Sequence, residues 1–191
     1  MLTTQIGMDV RNIKLVPYDP KWADVFEQDK ERLERILHKY KDKQIHHVGS
    51  TSIPTIPKAK PVIDIMVAMN KESGLLAACK EVYFKGFRSE DDCSSINGSA
   101  WWLNMRAYSD RKSEFLMNVF HFVPFCSSKY NDFLFFKRYM IEHPEEAQRY
   151  FELKQSLIRE NINLYDYAEG KGRYIDTINA KANKLYAGQQ L

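Results

Sequence analysis

The sequence predicts an α+β fold, with strands in the first two thirds of the chain and helices in the last third. Up to residue 125, short apolar runs alternate with turn residues, whereas residues 126–191 show helical periodicity almost throughout. Strands and helices that occupy separate parts of a chain are typical of the α+β class. We therefore expect residues 1–191 to form one domain, sheet-rich over 1–125 and helical over 126–191.

Composition and charge narrow the function classes. The 191 residues are 44% hydrophobic and 28% charged, so a core can form, and the net charge of +3 is too small by itself to indicate nucleic acid. No apolar run is long enough to span a bilayer, and the start MLTTQIGMDVRNIKLV lacks the apolar core of a signal peptide. Three widely spaced cysteines without metal-ligand spacing are interpreted as free thiols: Cys79, Cys93 and Cys126. We expect a cytoplasmic protein without a membrane partner.

The first predicted element is an amphipathic helix over residues 20–40. Asp19 supplies a capping side chain, and Pro20 suits the first helical position. Apolar residues then recur at helical spacing: Trp22, Val25, Phe26, Leu33, Ile36 and Leu37.

Two strands are predicted next, over residues 44–48 and 61–69. The segment between them contains three prolines, Pro54, Pro57 and Pro61, which exclude a long helix there. The second strand is expected to be buried, because its residues are almost all apolar.

The rest of the chain is predicted as one helix, two aromatic-rich strands and several further helices. The helix covers about residues 71–83, and the strands cover 101–108 and 115–123, with a turn at Ser109-Asp110 between them. Helices follow from residue 129. One begins at His143-Pro144, and Gly170 interrupts the region before the last.

The predicted buried strand carries a carboxylate, Asp64, within an apolar run. By the two-residue period of a strand, Asp64 shares a face with Val62, Met66 and Ala68. An ionised carboxylate among such neighbours is costly to bury without a partner. We expect that partner to be a cation, either a metal ion or Lys58, Lys60 or Arg106. The alternatives are a purely structural ion pair and a strand end close to water.

A turn of small residues, Gly49-Ser50-Thr51-Ser52, precedes this strand. Its consecutive backbone N–H groups and hydroxyls are typical of a site that binds an anion closely. The alternative is a tight turn whose hydroxyls cap the local backbone. A strand, a Gly-Ser turn and an acid on the next strand would hold a phosphate chain beside a metal-binding carboxylate. Phosphoryl and nucleotidyl transfer require that arrangement.

Three lysines interrupt the apolar stripes of the C-terminal helices, at Lys137, Lys154 and Lys171. One lysine in such a position usually extends its ammonium group to solvent. Three in consecutive helices favour convergence on one anion. Arg106 shares its strand face with Asn104 and two aromatic rings, and that face suits a base or a phosphate unless it is simply solvated. The predicted phosphate- or nucleotide-binding residues are Gly49, Ser50, Thr51, Ser52, Lys60, Arg106, Lys137, Lys154 and Lys171.

Several segments together resemble the GrpB family of small bacterial proteins. The most specific are HVGSTSIP and AKPVIDIMV; VPYDPKWADVFEQDKERL, FKRYMIEHPEEAQRYFELK and YAEGKGRYI extend the resemblance from about Val16 to Ile178. It implies a fold similar to the polymerase-β-like nucleotidyltransferases, with a mixed sheet flanked by helices and a C-terminal helical portion that closes one side of a cleft. Family members fused to dephospho-coenzyme A kinase imply a functional link to coenzyme A biosynthesis.

The sequence departs from the signature that the resemblance implies, which is Gly-Ser followed by Asp-x-Asp. Here Asp64 is followed on the same strand face by Met66, whose thioether is a poor ligand for Mg²⁺. A second metal ligand would have to come from Glu114, Asn118 or His121.

Two functions from different classes follow. The leading one is a nucleotide-dependent transferase in which Asp64 is the catalytic residue and binds Mg²⁺. The alternative is a non-catalytic module that binds a nucleotide or a phosphorylated metabolite and has lost the second acid. A protein-interaction domain is a third interpretation, but it leaves the inward lysines unexplained.

Overall fold

The computed structural model describes residues 4–70, 72–85, 87, 103–108, 115–159 and 162–189. Within these residues the strands are β1 (Met8–Asp9), β2 (Val16–Pro17), β3 (Gln44–Val48), β4 (Lys58–Ala59), β5 (Ile63–Met69), β6 (Leu103–Tyr108) and β7 (Phe115–Pro124). The helices are α1 (Trp22–Ile36), α2 (Glu72–Lys85), α3 (Ser128–Glu142), α4 (Pro144–Leu157), α5 (Leu164–Gly170) and α6 (Gly172–Tyr186).

Five of these strands form one mixed sheet around β7. Strand β5 lies parallel to β7, whereas β1 and β6 pair with β7 antiparallel, and β3 pairs antiparallel with β5. Strands β2 and β4 form a separate two-stranded ribbon. The expected mixed sheet and the α+β class are therefore confirmed.

The two faces of the sheet are covered by different helices. Ile63, Ile65 and Val67 of β5 pack in one apolar cluster with residues of α1 and α2. On the opposite face, Met66 packs against Val48 and Val123 and lies under side chains of α3. Because side chains alternate along a strand, Asp64 faces the same side as Met66, toward the C-terminal helices.

The predicted elements agree with the structure in kind and differ at their ends. Strand β3 has the predicted bounds, whereas α1 begins at Trp22 and not at Pro20. The Asp19 carboxylate accepts a hydrogen bond from the N–H of Lys21 at 3.0 Å, and the Trp22 N–H donates to the Asp19 carbonyl at 3.0 Å, so a turn precedes the helix. The predicted turn at Ser109-Asp110 lies outside the described residues, as do residues 101–102.

No helix in the described ranges has both the length and the apolar character needed to cross a membrane.

Truncation of Leu33 in α1 tests the packing between α1 and the sheet, because this side chain is fully buried in the apolar cluster that α1, α2 and β5 share. We expect Leu33→Ala to lower the free energy of unfolding in urea by about 2–5 kcal/mol, the usual cost of such a truncation. Leu185 of α6 is 51% exposed and provides the matched control. Leu185→Ala should change the free energy of unfolding by less than about 0.5 kcal/mol. Equal losses in the two variants would contradict this packing.

Candidate functional site

A cavity of about 350 Å³ lies between the Asp64 face of the sheet and helices α3 to α6. Its volume is within the range of small-molecule sites. Six charged side chains line it: Lys60, Asp64, Lys129, Asp132, Lys154 and Lys171. Four aromatic rings line it as well: Phe133, Phe136, Tyr150 and Tyr167. The cavity lining therefore combines charged and aromatic side chains.

The Gly-Ser turn forms one edge of this cavity and is fixed against Asp64. Gly49 has φ 68° and ψ −174°, a backbone region that essentially glycine alone adopts. A Cβ placed on Gly49 would lie 2.8 Å from both the Cβ and the Cγ of Asp64, closer than such atoms approach. Glycine is required here for conformation and for space, and the turn and the carboxylate keep a fixed separation.

Two backbone donors of the turn remain available to a ligand. Residues Ser50–Ser52 form one turn of 3₁₀ helix, in which the Ser52 N–H donates to the Gly49 carbonyl at 3.2 Å. Within the described part of the chain, the N–H groups of Ser50 and Thr51 donate to no protein acceptor. Adjacent unused N–H groups at the start of a helical turn are suited to an anion.

The hydroxyls of the turn are mostly used within the protein. Ser52 donates to the Gly49 carbonyl at 2.8 Å, and the Thr51 hydroxyl contacts His47 Nε2 at 3.0 Å and the Val62 carbonyl at 3.3 Å. Burial, with the nearby charge of Lys137, lowers the pKa of His47 to about 4, so that ring is neutral at pH 7. Thr51 lines the cavity, but the Ser52 side chain is not part of its lining. Local capping, the alternative interpretation of this turn, therefore applies to Ser52, whereas Thr51 contacts the side chain of His47 and the more distant Val62 carbonyl.

Asp64 reaches the cavity from β5 and is held by His121. Its side chain is 31% exposed, and its Oδ1 lies 3.2 Å from His121 Nε2. His121 Nδ1 lies 2.7 Å from the amide oxygen of Asn104. The ring therefore bridges Asn104 and Asp64 and fixes the position of the carboxylate.

The charges around Asp64 keep it ionised. Burial raises the pKa of its carboxyl, but the hydrogen bond from His121 and the charges of His121, Lys60 and Lys171 lower it by more. The pKa therefore lies below its ordinary value, and Asp64 is a carboxylate at pH 7.

Lys154 of α4 is the most deeply placed cation of the site. Its side chain is only 2% exposed. Its ammonium group donates to the Ser50 hydroxyl at 3.3 Å and to the Lys58 carbonyl at 3.1 Å. It also lies 4.8 Å from the centre of the Tyr150 ring. Lys154 thus attaches the C-terminal helices to the Gly-Ser turn.

Lys60 and Lys171 lie over the ring of Tyr167, with ammonium-to-centroid distances of 5.2 and 5.6 Å. Burial, with the charge of Lys171, lowers the pKa of Lys60 to about 7. Burial, with the charges of Lys171 and Lys60, also lowers the pKa of Lys154 to about 7. The three lysines therefore influence one another electrostatically, and the protein alone does not neutralise them fully.

Two predicted cationic ligands lie outside the lining of this cavity. Lys137 points toward the sheet as expected, but its ammonium group donates to the His47 carbonyl at 3.1 Å, and it lines a separate groove with His46 and Tyr130. Arg106 is exposed on the Asp64 face of the sheet, opposite Val119 of β7. Its charge contributes to the lowered pKa of Lys60.

The candidates for a second metal ligand fare differently. Asn118 pairs with Ile63 in the sheet, so its side chain faces α1, where its amide donates to Asp29 at 2.8 Å. The prediction that Asn118 shares a metal with Asp64 is therefore wrong. Glu114 lies outside the described residues, and His121 contacts Asp64 directly.

A two-metal centre does not fit the described side chains. Among these residues, no group of three or more histidine, cysteine, aspartate or glutamate side chains is placed to hold a metal ion. The strand-face position after Asp64 belongs to Met66, which is fully buried in an apolar cluster. Asp64 is therefore the acid of β5 that is available to bind a cation.

Two cavity residues were not anticipated as ligands, namely Tyr167 of α5 and Asn179 of α6. Asn179 lies on the same helical face as Ile175 and Ala182, so it is a polar residue on an apolar stripe. That signal, which drew attention to the lysines, would also have found Asn179. Tyr167 is itself one of the aromatic residues of the apolar stripe around Lys171, so its sequence position does not reveal the environment of its hydroxyl.

Comparison with protein-family models gives a match to the GrpB protein family over residues 12–181. The chain belongs to the GrpB family. The UPF0157 protein YqkA of Bacillus subtilis is 27% identical over 180 residues, which are 94% of this chain and 50% of that relative. The chain therefore spans half the length of that relative.

A solved structure agrees with the GrpB assignment at the level of the fold. The crystal structure of the conserved protein GrpB from Enterococcus faecalis has a TM-score of 0.72 and 24% identity, and covers 91% of this chain and 99% of that chain. The Cid1 poly(U) polymerase with MgGTP bound has a TM-score of 0.44 and 13% identity, and covers 81% of this chain and 50% of that chain. No conclusion about the site or its activity rests on the second similarity.

Gly49 provides a test of the turn. In Gly49→Ala, the added Cβ adopts an unfavourable backbone region and displaces Asp64, so we expect the free energy of unfolding to fall by at least about 1–3 kcal/mol. Gly172 is the control, because a Cβ there meets nothing within 4 Å. Gly172→Ala should be neutral or stabilising by up to about 1 kcal/mol. Both are measured by urea denaturation, and an undiminished stability in Gly49→Ala would contradict the geometry.

Met66 tests whether the site accepts a second acid. Met66→Asp places an unpaired carboxylate in an apolar cluster, so the free energy of unfolding should fall by about 3 kcal/mol or more. The control Met66→Leu retains the apolar volume and should cost less than about 1.5 kcal/mol. A Met66→Asp protein that keeps its stability and gains Mg²⁺ binding would show that the position does admit a metal ligand.

Proposed function

We propose that the cavity binds a nucleotide or another phosphorylated small molecule, with a phosphate group against the Gly-Ser turn. The observation that supports this most is the convergence of Lys60, Lys154 and Lys171 around Asp64 in one cavity. The unused N–H groups of Ser50 and Thr51 lie at the edge of the same cavity.

The charge balance of the cavity favours an anion. Lys129 and Asp132 are paired at 3.4 Å, so they offset each other. Three lysines and one aspartate, which is already in contact with His121, then remain. A bound phosphate would supply the missing negative charge and would raise the lowered pKa values of Lys60 and Lys154.

Each group has a distinct part in this proposal. The N–H groups of Ser50 and Thr51 bind phosphate oxygens, and Lys60 and Lys171 neutralise their charge. Lys154 holds the Ser50 hydroxyl and so fixes the turn. Arg106 adds positive potential from the neighbouring strand. We leave Lys137 and Ser52 out of the proposed contacts, because neither lines the cavity.

A catalytic form of this function adds a divalent cation. The ionised carboxylate of Asp64 faces the cavity beside the Gly-Ser turn, where it would bind one Mg²⁺ ion together with the nucleotide. Nucleotidyl transfer is therefore the second candidate function. Mg²⁺ usually binds through one or two carboxylates together with substrate phosphates. Asp64 would hold the ion, while the turn and the lysines orient the phosphate. A cytoplasmic location suits both a nucleotide and another phosphorylated small molecule as the ligand.

Titration of ATP with and without Mg²⁺ separates the two forms. If Mg²⁺ strengthens binding at pH 7 and Asp64→Asn no longer shows this increase in affinity, the metal-assisted form holds. If affinity is independent of Mg²⁺, the protein is a binding module. Dephospho-coenzyme A belongs in the same panel, because the resemblance to the GrpB family implies a link to coenzyme A biosynthesis.

Matched lysine variants test the anion site. Tripolyphosphate should raise the melting temperature of the protein, since a ligand that binds only the folded state stabilises it. The increase should be small or absent in Lys154→Met and should persist in Lys137→Met, whose lysine lies in the separate groove. Differential scanning fluorimetry measures both. Equal responses in the two variants would contradict the proposed site.

The lowered lysine pKa values predict two opposite pH dependences. The unfolded chain keeps these lysine protons up to about pH 10.5, whereas the folded protein releases them near pH 7. Stability without ligand should therefore rise with pH between about 7 and 10.5, because the unfolded state binds more protons there. Affinity for tripolyphosphate should fall over the same range as the ammonium groups are lost. Calorimetry at several pH values measures both, and Lys154→Met should weaken both trends.

A further inference from the structure

Two residues of the cavity lining each have one buried polar atom that lacks a hydrogen-bond partner. Among the described residues, these are the hydroxyl of Tyr167 and the side-chain oxygen of Asn179. Both residues line the cavity, where Tyr167 is fully buried and Asn179 is 8% exposed. An unpaired buried polar group costs about 1–3 kcal/mol, so proteins seldom keep two without a reason. A ligand that supplies both partners is such a reason.

Tyr167 belongs to the phosphate end of the cavity. The ammonium groups of Lys60 and Lys171 lie over its ring. Burial raises the pKa of its hydroxyl well above the ordinary value, so the hydroxyl keeps its proton and acts as a donor. The unused donor beside two cations is matched by an acceptor that is negatively charged, which a phosphate oxygen provides.

Asn179 presents a different chemistry. It is a neutral carboxamide on α6, and it shares the cavity wall with Phe133, Phe136 and Ile175. A carboxamide offers an acceptor oxygen next to an NH₂ donor. The edge of a nucleobase presents the complementary pattern, and carboxamides bind base edges in a bidentate manner. Neighbouring aromatic rings provide the flat apolar surface on which a heterocycle stacks.

We propose that Asn179 is the residue that recognises the base, so that the ligand is a nucleotide and not merely a phosphate ester. This inference rests on the proposed function, since it places the base in the cavity that is proposed to hold the phosphate. The oxygen of Asn179 accepts a hydrogen bond from an amino or ring N–H group of the base, and Tyr167 donates to a phosphate oxygen. A polyphosphate offers no donor to the Asn179 oxygen and leaves it unpaired, which disfavours that ligand.

The first test needs no variant. Calorimetry compares ATP, GTP, CTP and UTP with tripolyphosphate, which has the charge of the phosphate chain but no base. At least one nucleotide should bind about tenfold more tightly than tripolyphosphate, the gain expected from one well-placed buried hydrogen bond. Tripolyphosphate that binds as tightly as every nucleotide overturns the base-recognition proposal and leaves the phosphate site intact. If none of these ligands binds, the proposed function is wrong, and base recognition is excluded with it.

Two variants then assign the roles. Asn179→Leu should lower the affinity for the preferred nucleotide about tenfold and leave that for tripolyphosphate unchanged. Tyr167→Phe should weaken the binding of both the nucleotide and tripolyphosphate, because the variant removes the hydroxyl that is proposed to donate to a phosphate oxygen. Without ligand, the melting temperature of Asn179→Leu should be unchanged or higher, since the variant removes an unpaired buried oxygen. A lower melting temperature with unchanged nucleotide selectivity would make Asn179 a structural residue and overturn the proposal.

Discussion

The contact between the backbone of Gly49 and the side chain of Asp64 determines the geometry of the cavity. The turn approaches the carboxylate so closely that no Cβ fits between them, and its backbone adopts a conformation that glycine alone tolerates. Two open N–H groups, on the turn that follows β3, and one carboxylate, on the adjacent strand β5, thereby acquire a fixed relation. The C-terminal helices then bring their lysines to this arrangement, and Lys154 bonds directly to Ser50.

The buried lysines connect stability with binding. Three ammonium groups near a single carboxylate repel one another, and burial adds a desolvation cost, so the ligand-free protein carries unfavourable electrostatic energy. A bound anion would remove part of that cost, because it would pair with the ammonium groups. Under the proposed function, the same energy that destabilises the empty cavity would contribute to ligand affinity. The hydrogen bonds of Lys154 to the Ser50 hydroxyl and the Lys58 carbonyl offset part of the cost of its burial.

Sequence reasoning succeeded where one local period decides the outcome. The two-residue period placed Asp64 and Met66 on one face of β5, and the apolar stripes identified the inward lysines of α3 and α4 and also Lys171, which lies between α5 and α6 and not within a helix. It failed for Asn118. This residue pairs with Ile63, so its side chain faces away from Asp64, and no local sequence pattern specifies the register between two strands. It also could not separate Lys137 from Lys154. A helical stripe shows that a residue points inward, but the packing of α3 and α4 on the sheet decides which cavity it reaches.

A crystal structure of the protein with a non-hydrolysable ATP analogue and Mn²⁺ tests the central claim most directly. We predict phosphate oxygens at ~3 Å from the backbone nitrogens of Ser50 and Thr51, which is hydrogen-bond distance, and the base beside Asn179. The anomalous signal of Mn²⁺ would show whether Asp64 holds a metal ion. A nucleotide bound elsewhere, with both backbone N–H groups directed at water and the cavity occupied only by solvent, would contradict the claim that this turn and these lysines form a phosphate site.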